Sequence, residues 1–187
     1  MLITRYAKIV LGLVLAAFCL LVTFDNLTDY GTNYLFVQHV MSMDTTFAGN
    51  ALMYRSITSP LLWQIFYALI IAAEGVTGVL SFAGAIRLFQ VRNAPAEMFN
   101  QAKIYTIAAC LLAFLVWFFG FMVVAGEWFA MWQSTTWNGQ EAAFRFYVAV
   151  LGVLIFVNQP DVELPGFVPP PLVTPRRRRV DKTKKQD

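Results

Sequence analysis

The chain has 187 residues and a net charge of +3, and its length suits one domain. Its residues are 58% hydrophobic and only 13% charged, whereas soluble proteins are about 25% charged. This composition excludes an ordinary soluble fold, which would lack the polar surface to cover its core. The apolar excess indicates an integral membrane protein.

Four apolar stretches follow one another along the chain, at about residues 7–24, 61–82, 104–125 and 142–157. A membrane-spanning helix needs roughly 20 apolar residues, with about 17 as the lower limit. The first three stretches meet that length, whereas the fourth is short and carries Arg145 near its start. We predict an all-α transmembrane four-helix bundle, in which the Arg145 side chain extends to the membrane interface.

The basic residues favour one orientation of these helices. All of the 14 Lys and Arg residues except Arg55 and Arg145 lie before helix one, between helices two and three, or after helix four. The positive-inside rule makes that side cytoplasmic. We therefore predict a multi-pass membrane protein with both termini in the cytoplasm. Residues 159–187 are rich in proline and basic residues, which predicts a disordered cytoplasmic tail.

The predicted outer cap, residues 25–60, connects helices one and two. Four of its apolar residues have the spacing of one helix face, which predicts an amphipathic helix on the outer surface or over the mouth of the bundle. These four are Leu35, Phe36, Val40 and Met43. Polar and aromatic residues of the two outer loops form a candidate outer-face cluster. Its members are Asp25, Asn26, Asp29, Tyr30, Asn33, His39, Asp44, Glu127, Trp137, Glu141 and Arg145.

A metal site is one interpretation of this cluster. Asp25 and Asp29 are four residues apart, so a helical turn would place them on one face. With His39 and Asp44 they could supply oxygen and imidazole ligands, although the spacing matches no tight metal motif. Capping and turn formation are the alternative. The single histidine could also ligate haem, but it cannot occupy both axial positions. The sequence leaves the metal and any other cofactor unknown.

Glu74 lies inside the second apolar stretch, roughly 20 Å along the predicted helix. A carboxyl group at that depth is costly and rarely faces lipid. Thr77 shares its helix face. Two interpretations stay open: an ion relay or ligand contact, and a protonated acid bonded to a neighbouring helix. Small residues at 68, 72, 75 and 78 favour close helix packing.

Several enzyme signatures are absent from the sequence. It has no P-loop, no glycine-rich dinucleotide motif and no nucleophile elbow. A Ser-His-Asp arrangement would have to use the single histidine. These observations favour a protein that is not an enzyme.

Several motifs of the chain carry a family resemblance. They are Asn26-x-Thr28-Asp29-Tyr30-x-x-Asn33 and Phe36-Val37-x-His39-Val40-x-Ser42-Met43-Asp44-Thr45-Thr46, Glu74, and Trp132-Gln133-Ser134 with Trp137-Asn138-Gly139-Gln140 and Phe144-Arg145. Together they resemble the bacterial small integral membrane proteins grouped as domain of unknown function 2165, over about residues 1–158. The resemblance implies four helices in a bacterial inner membrane, but it brings no established activity and no catalytic residue.

Three functions remain open. The pattern favours a non-catalytic accessory or assembly subunit, which docks a membrane or periplasmic protein, or a second copy, through its outer face. The first alternative is a redox subunit with a metal, haem or quinone under the outer cap. The second is a small transporter or channel that uses Glu74. No nucleic-acid partner is predicted, because a short basic tail is a poor reader of a duplex.

Overall fold

A computed structural model describes residues 2–166. The regular structure in this range is helical, with no strand, and this confirms the predicted all-α class. The principal helices are α1 Leu2–Thr28, α2 Tyr30–Ser42, α3 Pro60–Gln90, α4 Ala96–Ala102, α5 Ile104–Phe114, a π-helix at Leu115–Trp128 that continues α5, and α6 Gln140–Asn158. Short 3-10 turns lie at Met53–Arg55 and Met131–Gln133. Most of the predicted tail lies outside the described residues.

Four helical segments are long and apolar enough to cross a membrane. They are Leu2–Thr28, Pro60–Gln90, Ala96–Trp128 and Gln140–Asn158. The predicted four-helix transmembrane bundle is confirmed in this respect. The first segment continues past its apolar stretch, so Asp25 and Asn26 belong to the last turns of a spanning helix rather than to a loop.

Two groups of segments define the two ends of the bundle. The cap end comprises residues 25–59 and 126–141, and the termini end comprises residues 2–8, 88–103 and 159–166. The segments of the termini end touch one another directly: Arg5 Nη1 donates to the carbonyl of Arg92 at 2.9 Å, and Arg5 Nη2 donates to that of Val162 at 3.3 Å. The start of α1, the α3–α4 connection and the chain after α6 therefore meet at one end.

The most extensive helix contact joins α1 to α3. Gly78 allows it, because a Cβ there would lie 2.7 Å from Cγ of Leu20. About one turn further along α3, the Ser81 hydroxyl donates to the carbonyl of Gly12 at 2.8 Å. Small residues thus bring the two backbones close enough for polar contacts to cross between them. Ala68 and Ala72, by contrast, are exposed.

The long helix after α4 changes its geometry half-way. α5 packs closely on α3, where a Cβ on Gly84 would lie 2.8 Å from the backbone nitrogen of Thr106. From Leu115 onward the hydrogen bonds span five residues, and the last of them joins the N–H of Phe129 to the carbonyl of Val124 at 3.1 Å. This π-helix touches α3 far less than α5 does. A gap therefore opens between them towards the cap end.

α2 lies between the first two spanning helices in sequence, and its buried side chains Val37, Val40 and Met41 pack against α3 and the chain after the π-helix. The predicted apolar face is partly wrong, since Leu35 is 44% exposed. The buried side chains Val37 and Met41 lie one position after the predicted Phe36 and Val40, so the buried face is centred about one residue further along the chain. Its position on the outer surface stays a prediction.

We expect Gly84→Ala to destabilise the bundle, because the new methyl group would collide with the Thr106 backbone. Overpacking of this kind costs about 1–3 kcal/mol. Thermal unfolding in mild detergent measures the effect. The matched control is Gly152→Ala in α6, where a Cβ meets nothing within 4 Å; the higher helix propensity of alanine should leave it neutral or slightly stabilised. Equal stabilities of the two variants would contradict the proposed close contact.

Candidate functional site

A buried polar network connects α1 to α3. Glu74 is 3% exposed in the middle of α3, and its Oε2 accepts a hydrogen bond from Asn26 Nδ2 at 2.7 Å. The Tyr67 hydroxyl donates to the Asn26 carbonyl at 3.0 Å and lies 3.2 Å from Asn26 Oδ1. Each group thus has a partner within the protein, as burial away from water requires.

Thr77 is buried on the same side of α3 as Glu74, as the helical spacing indicated. Its hydroxyl donates to the carbonyl of Ala73 at 2.7 Å, within its own helix. It therefore packs beside the network without joining it. Since Glu74 is bonded to α1, its geometry supports the interpretation of a buried acid bonded to a neighbouring helix.

The predicted outer-face residue His39 belongs to a second cluster, at the cap end. Its ring stacks on Trp137 with a centroid separation of 4.6 Å, and its Nδ1 lies 2.8 Å from Asp44 Oδ2. The contact joins α2 to the segment before α6. His39 is thus held by one acid and one aromatic ring, in a partly exposed position.

Further bonds join residues 43–59 to residues 129–137. The Thr45 hydroxyl donates to Ser134 Oγ at 2.8 Å, and the backbone N–H of Phe47 donates to Gln133 Oε1 at 3.1 Å. The Phe47 ring meets the Trp132 ring edge to face at 5.8 Å. The two predicted outer loops therefore form a single layer, which we call the cap layer (residues 43–59 and 129–137).

The remaining acids of the predicted cluster lie elsewhere. Asp25 is in the last turns of α1, and Asp29 is at the N-cap of α2, where its Oδ1 accepts a bond from the Thr32 hydroxyl at 2.9 Å. No group of three His, Cys, Asp or Glu side chains in residues 2–166 could hold a metal ion. The structure therefore does not bring Asp25, Asp29, His39 and Asp44 together as a ligand set.

Aromatic and amide members of the predicted cluster line the start of α2. Tyr30 is its first residue, and the ring lies 4.7 Å from that of Tyr67. Asn33 lies a turn further on, inside the helix. Tyr30 therefore borders the buried network around Asn26, a contact that the sequence did not predict.

The last members of the predicted cluster are exposed. Glu141 and Arg145 form an ion pair on the first turns of α6. Such a pair contributes little to stability, because water screens it. Glu127 is exposed near the end of the π-helix. These three residues therefore lie on the surface and not in an enclosed site.

The termini end holds an ion cluster that the sequence did not reveal. The Lys8 and Lys103 ammonium groups each lie 2.5 Å from Asp161 Oδ2, and all three side chains are buried. Both lysines also donate to the Gln159 carbonyl, at 2.6 and 2.7 Å. Residues 159–163, which the sequence assigned to the tail, thus pack against α1 and α4.

Two opposing effects act on the Asp161 carboxyl group. Burial alone would raise its pKa, but the hydrogen bonds and positive charges of Lys103 and Lys8 outweigh burial and hold the pKa below its usual value. The carboxylate therefore stays ionised near neutral pH, and it neutralises one of the two buried charges. A clue was present in the sequence: Asp161 is the first acid after helix four, on the side where the basic residues gather.

We expect Glu74→Ala to lower the free energy of unfolding by about 0.5–2 kcal/mol, because it leaves the Asn26 amide without its acceptor. Glu74→Gln keeps an acceptor oxygen and should lose less. Thermal unfolding in detergent compares the variants, and Glu127→Ala, which alters an exposed carboxylate, is the control. A Glu74→Ala protein as stable as the parent would show that this bond does not hold α1 to α3.

Asp161→Asn should destabilise the protein by about 3 kcal/mol or more, since it leaves two buried ammonium groups without a counter-charge. The exposed Glu163 accepts a hydrogen bond from the Ala96 N–H at 3.0 Å, so Glu163→Gln is the milder control. Because the folded pKa of Asp161 lies below its unfolded value of about 3.9, its stabilisation is complete above that pH. It is lost as pH falls through the folded pKa.

Unfolding measured from pH 6 down to pH 2 tests this sign. The parent should lose stability below about pH 4, and the Asp161→Asn variant should show a smaller loss over the same interval. Parallel curves for the two proteins would contradict a stabilising role of the Asp161 charge.

Comparison with known proteins yields one family. Residues 4–160 match the family described as "Predicted small integral membrane protein (DUF2165)". No curated protein and no solved structure gives a significant match. The matched range includes the last three spanning segments in full and the first from its third residue onward, and it ends one residue before Asp161. The chain therefore belongs to this family of small integral membrane proteins, as its motifs predicted.

Proposed function

We propose that the protein is a non-catalytic accessory or assembly subunit, which docks a membrane or envelope protein through its cap layer. The observation that carries the proposal is the construction of this layer. Side-chain bonds join two segments distant in sequence, yet large aromatic side chains remain on its surface. Phe47 is 58% exposed, Tyr54 is 76% exposed and Trp132 is 48% exposed.

A surface of this kind suits protein recognition for two physical reasons. A few side chains contribute most of the binding energy in many interfaces, and Trp and Tyr are enriched among them. A layer already held by the Thr45–Ser134 and Phe47–Gln133 bonds loses little conformational entropy when a partner binds. The partner we expect has an apolar surface that accepts these rings.

The proposal includes an orientation. The cap layer would face the periplasm of a bacterial inner membrane, with the termini end in the cytoplasm. The distribution of Lys and Arg supports this, because Arg5, Lys8, Arg92 and Lys103 all lie at the termini end. A further run of basic residues follows α6 in sequence.

Photo-cross-linking in living cells tests the docking surface. We expect a photoreactive residue at Tyr54 or Trp132 to give a discrete protein adduct, which mass spectrometry identifies. The control position is Val79 in the middle of α3, which is equally exposed but lies in the apolar part of a spanning helix. It should give lipid adducts and no protein adduct.

The size of the adduct distinguishes the possible partners. A band at twice the mass of the chain identifies a second copy, and any other discrete band identifies a different protein. If Phe47, Tyr54 and Trp132 all give no protein adduct while the variants remain folded and membrane-inserted, the docking proposal is wrong.

A further inference from the structure

An apolar cavity of about 250 Å³ lies under α2, in the gap between α3 and the π-helix. Its walls are formed by apolar residues, among them Phe36, Met41, Ile70, Ala73 and Val124. No charged side chain among residues 2–166 lines it. A cavity of this size and character excludes polar ligands and accommodates part of a hydrocarbon chain.

Gly120 accounts for part of this space. It lines the cavity from the π-helix, and a Cβ there would meet only the carbonyl of Leu115, at 3.8 Å, within the same helix. Leu69 and Phe119, at the rim, are more than half exposed on spanning helices. The cavity therefore opens sideways, towards the hydrocarbon of the bilayer.

A second recess continues the cavity towards the cap end. The two share Phe66, Phe119, Val124 and Phe129 as walls. Unlike the cavity, the recess carries charged and amphipathic side chains, namely Arg55, Glu127 and Trp128. The combined groove is thus apolar at membrane depth and polar where the spanning helices end.

Arg55 carries the cationic group of this recess. Its guanidinium lies 4.8 Å from the centre of the Trp128 ring, and its Nη1 makes long contacts of 3.4 Å with the carbonyls of Glu127 and Trp128. Within residues 2–166, no carboxylate lies within salt-bridge distance of it. The positive charge is therefore held in place and directed into the groove without an acidic partner.

We propose that this groove binds an anionic phospholipid, with one acyl chain in the cavity and the phosphate at Arg55. The order of groups along the groove matches that of a lipid in the leaflet at the cap end, with the chain below and the headgroup above. A planar guanidinium binds phosphate oxygens in pairs. The Trp128 ring beside it suits the headgroup layer. The second acyl chain would lie along Leu69 and Phe119.

The test measures lipid retained by the purified full-length protein in mild detergent, with native mass spectrometry as the readout. The probes are phosphatidylglycerol and phosphatidylcholine with identical acyl chains. We expect phosphatidylglycerol to be retained about fivefold more, the preference that one cation near an anionic headgroup supplies. Arg55→Gln should abolish the preference. The control is Arg145→Gln, because Arg145 lies near the cap end but is already paired with Glu141. This variant should keep the preference for phosphatidylglycerol.

Cavity-filling variants test the acyl chain. Gly120→Leu should reduce retention of both lipids at least fivefold, while Gly152→Leu, which places the same side chain in open space on α6, should not. Ala73→Leu fills the cavity from the opposite wall and replaces Gly120→Leu should that variant fail to fold. Equal retention of the two lipids by the parent, or an equal effect of Arg55→Gln and Arg145→Gln, overturns the headgroup assignment. Undiminished binding in both cavity variants overturns the acyl-chain assignment.

An uncharged isoprenoid quinone is a distinct outcome. If such a quinone displaces phosphatidylglycerol, and its binding is unaffected by Arg55→Gln, the cavity serves an uncharged ligand and the phospholipid proposal is wrong. Tyr54 accepts a hydrogen bond from Arg55, but the cross-linking positions Phe47 and Trp132 line neither the cavity nor the recess. Cross-linking from those two positions therefore tests the docking proposal separately from the lipid proposal.

Discussion

The bilayer supplies no water to polar groups buried among these helices, so such groups must find their partners within the chain. Two sets of contacts meet this requirement, and they hold opposite ends of α1. Asn26 bonds to Glu74 near the end of α1, and Lys8 pairs with Asp161 near its start. Gly78 allows α1 and α3 to approach closely, and this approach brings Asn26 Nδ2 within 2.7 Å of Glu74 Oε2. The small residue thus makes the polar contact between the helices possible.

This arrangement leaves the bundle unequal along its length. The termini end is closed by the ion cluster, and α5 packs on α3 as far as Phe114. Towards the cap end the π-helix diverges from α3, and α2 fills only part of the gap. π-Helical segments are rare and frequently lie at functional sites. Here the change of helix type creates the cavity, and the cap layer covers the same end. Both proposed functions consequently depend on the half of the bundle that is less tightly packed.

The spanning segments were predictable because length and hydropathy, which lipid selects, are local properties. The partners of polar residues were not, because they depend on contacts distant in sequence. Asn26 follows an apolar stretch and was assigned to a loop, yet α1 continues through it since Glu74 and Tyr67 satisfy its side chain. The same shift separates Asp25 from His39, so the candidate metal ligands do not come together. The sequence did not predict the π-helix either, because residues 115–126 are apolar on every face and show no periodicity.

The ion cluster also changes what the basic residues mean for topology. Lys8 and Lys103 were counted as charges that favour the cytoplasm, but both are buried and share one carboxylate. Their contacts, with those of Arg5, bring the beginning of α1 and the chain after α6 to the same end. An even number of crossings between these points follows from the contacts alone, without any charge rule. The positive-inside rule then has only one choice left to make, namely which side of the membrane this end faces.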